Sequence, residues 1–193
     1  MSDLMDALSS QIISCTMCNL SKSRTNAVPG KGTHNAEIMF IGEAPGRSED
    51  LQGEPFVGNA GKILSEALEY AGLSRNDVFI TNVVKCRPPN NRVPLEEEKD
   101  TCNQYLMREL SIVKPKIICV LGNTAYGSIL GGNSIMKNRG RIIKKNDQLY
   151  FLTVHPAAAI YTPSLKQVLK DDIRTLVRAL EKIKKGNHLE NIS

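Results

Sequence analysis

Four of the five cysteines in this 193-residue chain are spaced as metal ligands are. Cys15 and Cys18 form a C-x2-C pair, and Cys86 and Cys102 follow as single ligands, so four thiolates could close around one centre. Sulfur ligation alone leaves zinc and iron open, and spacing by itself leans to zinc, the commoner structural class. Cys119 lies within an apolar run and reads as a buried, unreactive thiol. An odd cysteine count in a chain expected to stay inside the cell is not a disulfide framework.

A second group of residues follows strand-like apolar runs. Gly42-Glu43-Ala44-Pro45-Gly46 is a tight turn whose glycines and proline leave backbone N–H groups facing whatever docks there. Asn82 closes another apolar run, and His155-Pro156 closes a third, with the proline holding His155 in an extended backbone that points its ring away from the strand end. Taken singly, each of these has a plainer reading as a turn or cap.

The elements that must position them are legible as alternating periods. Strands are expected at Glu37 to Ile41, Val78 to Asn82, Lys116 to Leu121 and Leu149 to Val154. One helix is expected from an Asn59 cap, with Ile63, Leu64, Ala67 and Leu68 on one face and Gly72 closing it. A second begins at the acidic turn Glu96-Glu97-Glu98, and a last one follows a Ser164/Gln167 capping box. Strands alternating with helices give an α/β fold, a three-layer α/β/α sandwich around a mostly parallel four-stranded sheet. In such a sheet ligands bind beyond the carboxyl ends of the strands, where the turn, Asn82 and His155 stand.

With 41% hydrophobic and 23% charged residues, residues 1–193 have the make-up of one domain, with a polar tail from Gly186 onward expected to fray. Asp3 and Asp6 stand where a signal peptide needs positive charge, and no apolar run nears the roughly 20 residues of a membrane span, so an intracellular, cytoplasmic protein without a membrane partner is expected. The net charge of +5 is compatible with an anionic partner and equally with plain solubility. Lys22, Arg24, Lys31, Lys85, Arg87, Arg92, Lys137, Arg139 and Arg141 are among the cations expected mostly in loop-like stretches.

Four segments, in this order, resemble the uracil-DNA glycosylase superfamily, and within it the iron-sulfur branch called family 4. They are Gly42 to Gly46, Pro55-Phe56-Val57-Gly58-Asn59-Ala60-Gly61, Thr81 to Pro89, and His155-Pro156-Ala157-Ala158, and the likeness runs from about Cys15 to the last helix. The resemblance implies hydrolysis of the N-glycosidic bond of deoxyuridine flipped out of single- or double-stranded DNA, leaving an abasic site. It implies a uracil site made of Gly42, Glu43, Ala44, Glu49, Phe56, Asn82 and His155. Asn82 would donate to uracil O4 and accept from N3–H, a match that cytosine reverses. Phe56 would stack on the ring, its other reading being core packing. His155, if neutral, would donate to uracil O2 beside backbone N–H groups of Glu43 and Ala44. Better-known members of the superfamily carry an aspartate at the position of Ala44 to place the water. That acid is missing here, so Glu43 becomes the candidate for orienting water or stabilising the sugar cation, with a structural role in the turn as its alternative. Glu49 would crowd the C5 side and turn away thymine.

The same resemblance implies that Cys15, Cys18, Cys86 and Cys102 hold a [4Fe-4S] cluster, with zinc as the alternative, in an architectural role. Nothing in the hydrolysis needs an electron. Arg87, Lys137 and Arg139 are expected to meet DNA phosphate, and Ile160 or Tyr161, in the loop after the histidine, to fill the gap left by the flipped base. The protein is expected to work with the nucleoid as a monomer, with a sliding clamp as a further candidate partner. A sister branch that captures the sugar covalently through a histidine after the Asn-bearing strand is disfavoured, because no histidine lies between Asn82 and Pro94. A non-enzymatic redox or nucleic-acid-binding module would leave Asn82, Phe56 and His155 without a purpose.

Overall fold

The structure is a computed structural model that describes residues 2–186. Its frame is a six-stranded sheet in the order β1-β3-β2-β4-β6-β5. The strands are β1 (Lys31–Gly32), β2 (Ile38–Gly42), β3 (Phe79–Asn82), β4 (Ile117–Leu121), β5 (Ile142–Lys145) and β6 (Gln148–Thr153). The four central strands are parallel and are the four expected from sequence. The two edge strands pair antiparallel, β1 on β3 and β5 on β6. The expected count of four therefore becomes six. β1 has only two residues, and β5 is amphipathic and half exposed, so neither carries the apolar run that marks a central strand.

Strand alternation sorts the core into two layers. Met39, Ile41, Phe79, Ile118, Val120 and Leu152 face one way and pack with residues of α1 (Ser2–Ser14), α4 (Glu96–Val113) and α5 (Gly122–Leu130). Ile38, Phe40, Ile80, Ile117, Cys119 and Phe151 face the other way, against α3 (Asn59–Tyr70) and α8 (Ser164–Lys184). Cys119 is fully buried in that second layer, as its apolar run implies. The remaining helices, α2 (Arg47–Gln52), α6 (Ile135–Asn138) and α7 (Ala158–Tyr161), are short.

The helix starts differ in detail from the expected caps. Gly58, not Asn59, is the cap of α3, and Asn59 is its first helical residue. The Ser164/Gln167 capping box does not form: α8 begins at Ser164 itself behind Pro163, with no side-chain cap bond. Proline fits there because the first turn leaves its N–H groups unpaired in any case. At the start of α4, Glu98 does reach back to the Leu95 N–H at 2.8 Å. The polar tail expected to fray lies, beyond Gly186, outside the described residues.

The strand order reverses beside β2: the chain steps from β2 to β3 on one side and returns to β4 on the other. A crevice opens at such a switch point, beyond the carboxyl ends of the strands.

Candidate active site

Each wall of that crevice begins at a strand end. Gly42 and Asn82 are register partners at the ends of β2 and β3, so the turn after one strand and the amide after the other emerge side by side. A Cβ on Gly42 would lie 2.5 Å from Asn82 Oδ1 and 2.6 Å from the Phe56 ring, so glycine is what lets all three meet. His155 follows β6, two strands away, and Gly122 at the end of β4 makes room for it. Gly122 has φ +86°, and a Cβ there would stand 2.8 Å from that of His155. Gly122 carries no signal of this in the sequence, because nothing in one dimension places it against His155.

Glu43, Ala44, Glu49, Phe56, Asn82, His155, Ile160 and Tyr161 all line one cavity of about 400 Å³, together with Arg47, Asn91 and Arg92, which no sequence motif assigns to it. Asn82 is 2% exposed, and its Oδ1 is buried without a hydrogen-bond partner among the described residues. A buried carbonyl oxygen left unpaired costs about 1–3 kcal/mol, which marks it as an atom kept for a ligand.

Phe56 is packed in the apolar layer, as its core-packing reading expects, and also lines the cavity. Its ring centre lies 5.7 Å from that of His155, tilted by 33°. Its backbone is in the left-handed region, φ 52°, which is strained for an aromatic residue. Two features hold it there. Arg75 donates to Phe56 O at 2.9 Å and to Pro55 O at 2.7 Å, and Gly61 passes so close that a Cβ would fall 1.8 Å from Phe56 O. Arg75 is invisible to motif reading because it stands 19 residues beyond its partner, in a short 3-10 turn.

The two acids take different parts. Glu49 accepts from Gly46 N at 3.1 Å, Val57 N at 2.9 Å and Gly58 N at 2.8 Å, and so staples the Gly42–Gly46 turn to the loop bearing Phe56. This is the structural task considered for Glu43. The Glu43 carboxylate makes no side-chain bond among the described residues and faces the cavity.

His155 Nδ1 accepts the Ala157 N–H at 3.1 Å, so in the neutral ring the proton sits on Nε2. Burial pushes its pKa down to about 4, against a smaller opposing pull from Glu49, so the ring is neutral at physiological pH.

The expected DNA contacts fall into two groups. Ile160 and Tyr161 stand on the cavity rim, 43% and 86% exposed, on the one-turn helix α7 rather than in a loop. Arg87 bonds Asn91 Oδ1 at 2.7 Å, beside the lining. Lys137 and Arg139 do not line the cavity. Arg139 Nε donates to the buried Asp172 Oδ2 at 2.9 Å, so that guanidinium is committed to an internal ion pair. Lys85, grouped with the loop cations, is 1% exposed and ion-paired to Glu109.

Cys15, Cys18, Cys86 and Cys102 line a second cavity, with Arg24 and Lys85. Arg24 donates to Cys86 Sγ at 2.9 Å and to Cys15 O at 2.7 Å, and the Lys85 N–H donates to Cys102 Sγ at 3.3 Å. Among the described residues no three metal-ligating side chains are grouped to hold a single ion. Burial pushes the Cys102 thiol up to about 11, so it needs positive charge beside it to become a thiolate ligand.

A three-layer α/β/α domain with convergent polar groups in one cavity at its topological switch point has the design of a protein that encloses a small ligand. The family described as the uracil DNA glycosylase superfamily matches residues 29–181, and the chain belongs to it, in the type-4 branch. A type-4 uracil-DNA glycosylase of Sulfurisphaera tokodaii is 50% identical over 90% of this chain and 84% of its own length. Those of Saccharolobus solfataricus and Archaeoglobus fulgidus are 47% and 44% identical, over 92% and 89% of this chain and 87% and 91% of theirs.

Proposed function

We propose that the protein is a uracil-DNA glycosylase that hydrolyses the N-glycosidic bond of deoxyuridine flipped out of DNA. The observation that carries this reading is the unpartnered, buried Oδ1 of Asn82, set in one cavity with Phe56 and a neutral His155. Oδ1 accepts uracil N3–H while Nδ2 donates to O4. Cytosine presents a bare N3 and an amino group, so both contacts reverse. Phe56 stacks on the ring.

As the bond from the sugar C1′ to uracil N1 breaks, its electron pair goes to uracil and positive charge grows on the sugar. His155 Nε2–H and the Ala44 N–H, which donates to no protein acceptor among the described residues, meet the charge on O2. The carboxylate of Glu43 faces the sugar and orients the water that adds to C1′, and the proton this water loses balances the one that the departing uracil anion takes up. The wall held by Glu49 turns away the methyl of thymine. Ile160 and Tyr161 fill the gap in the stack, and Arg47 and Arg87 meet the phosphates around it.

The four cysteines fit a [4Fe-4S] cluster in their chemistry: all are thiols lining one cavity, with N–H donors on two of the sulfurs. When bound, the cluster cross-links the Cys15–Cys18 segment to the Cys86–Cys102 segment beside the DNA-facing Arg87. Among the described residues no helix is long and apolar enough to cross a membrane.

The test is incubation of the purified protein with a uracil-containing oligonucleotide. Release of free uracil with turnover and an abasic product is expected, and intact deoxyuridine with folded protein would overturn the proposal.

A further inference from the structure

Lys85 carries a full charge into the core. Its Nζ donates to Glu109 Oε2 at 2.6 Å, Thr81 Oγ1 at 2.6 Å and the backbone carbonyl of Asn82 at 2.8 Å. Glu109 is fully buried, accepts from Thr81 Oγ1 at 2.8 Å and spends its other oxygen on the Gly30 N–H at 2.8 Å. A buried ion pair is poorly accounted for by stability, since well-packed apolar residues of similar size serve as well or better. What this pair does that apolar residues cannot is hold a backbone acceptor in place.

The acceptor is that of Asn82. The side-chain amide of Asn82 has no protein partner at Oδ1, so its aim is set by its backbone and by the close walls of Gly42 and Phe56. The same lysine is tied by its main chain to the cysteine cavity, with its N–H on Cys102 Sγ at 3.3 Å, while its carbonyl is fixed by the Val28 N–H at 2.7 Å.

We propose that Lys85, through its buried pair with Glu109, is a positioning residue that holds Asn82 at the angle needed to read uracil and joins that strand end to the four-cysteine cavity. This rests on the glycosylase reading of Asn82. The Lys85 side chain works on the Asn82 side of this link, and its main chain on the cysteine side.

The test uses the full-length protein with its metal centre and the variant Lys85→Met/Glu109→Gln, which removes both charges together. Iron content should match that of the unmodified protein, because the Lys85 N–H to Cys102 is kept. Inhibition by free uracil should weaken about tenfold, while affinity for abasic-site DNA should not change. A merely structural role would move both together, and either that result or unchanged uracil inhibition in folded variant would overturn the proposal. If the double variant does not fold, Thr81→Val removes one anchor of the network: weaker uracil inhibition with abasic-site affinity kept supports the proposal, and any other pattern overturns it. Asn82→Ala separates the two layers of inference: if it leaves uracil inhibition intact, the reading of Asn82 has failed rather than the role of Lys85.

Discussion

Nδ1 of His155 lies 3.1 Å from the amide nitrogen of Ala157, whose hydrogen it accepts, and this one bond decides which ring nitrogen can act as a donor. It leaves Nε2 to carry the proton, and burial keeps the ring from taking a second one until about pH 4.

The acid limb that His155 contributes to kcat/KM is therefore expected near pH 4, not near the ordinary 6.5. Stability follows the same shift. Above pH 6.5 the ring is neutral in both states and contributes no pH dependence. As pH falls from 6.5 towards 4 the unfolded chain takes up a proton that the folded chain refuses, and stability is lost across that window. Denaturant titrations of the unmodified protein and of His155→Asn check this, the variant showing the shallower loss. A loss between pH 6.5 and 4 that is as steep in the variant as in the unmodified protein would contradict it.

Asn82→Asp replaces the donor Nδ2 with a second acceptor. Uracil O4 then faces a carboxylate, and excision of uracil is expected to fall by about 100-fold or more. The amino group of cytosine now meets an acceptor, so single-turnover rates on matched uracil and cytosine oligonucleotides should converge.

Glu43→Gln keeps the shape of the side chain and removes its charge. The rate of bond cleavage should drop by roughly 10²- to 10⁴-fold, with inhibition by free uracil unchanged, if the carboxylate acts at the sugar as proposed. Equal losses in both measurements would assign Glu43 to base binding instead.

Arg75→Ala leaves the carbonyls of Pro55 and Phe56 without their donor and relaxes a backbone held at φ 52°. Stacking is worth roughly 1–3 kcal/mol per base, so loss of the held ring should weaken uracil binding by about 10-fold or more. Phe56→Ala should do the same, and combining the two should add little. Additive losses would separate Arg75 from the aromatic wall.

Cys102→Ser should yield protein with less iron and a lower melting temperature, since Cys102 ties α4 to the segment at Lys85. Stoichiometric zinc with no iron in the unmodified protein would overturn the cluster assignment.

The sequence by itself determined the four parallel strands, because each is an apolar run too short for a helix and bounded by turn residues. It also picked out strand ends that the fold brings to one cavity, since Glu43, Asn82 and His155 each stand at the end of such a run or within two residues of it. The tertiary structure alone decided how the two acids divide their work. Glu43 and Glu49 are both carboxylates in one short stretch, and only folding brings the amides of Val57 and Gly58 to Glu49 and leaves Glu43 free. It likewise turned Lys85 and Arg139 from expected surface cations into partners of Glu109 and Asp172. The physical reason is common to these cases. Periodicity and turn chemistry act within a turn or two of the chain, whereas these charges are paired by groups from eight to 33 positions away.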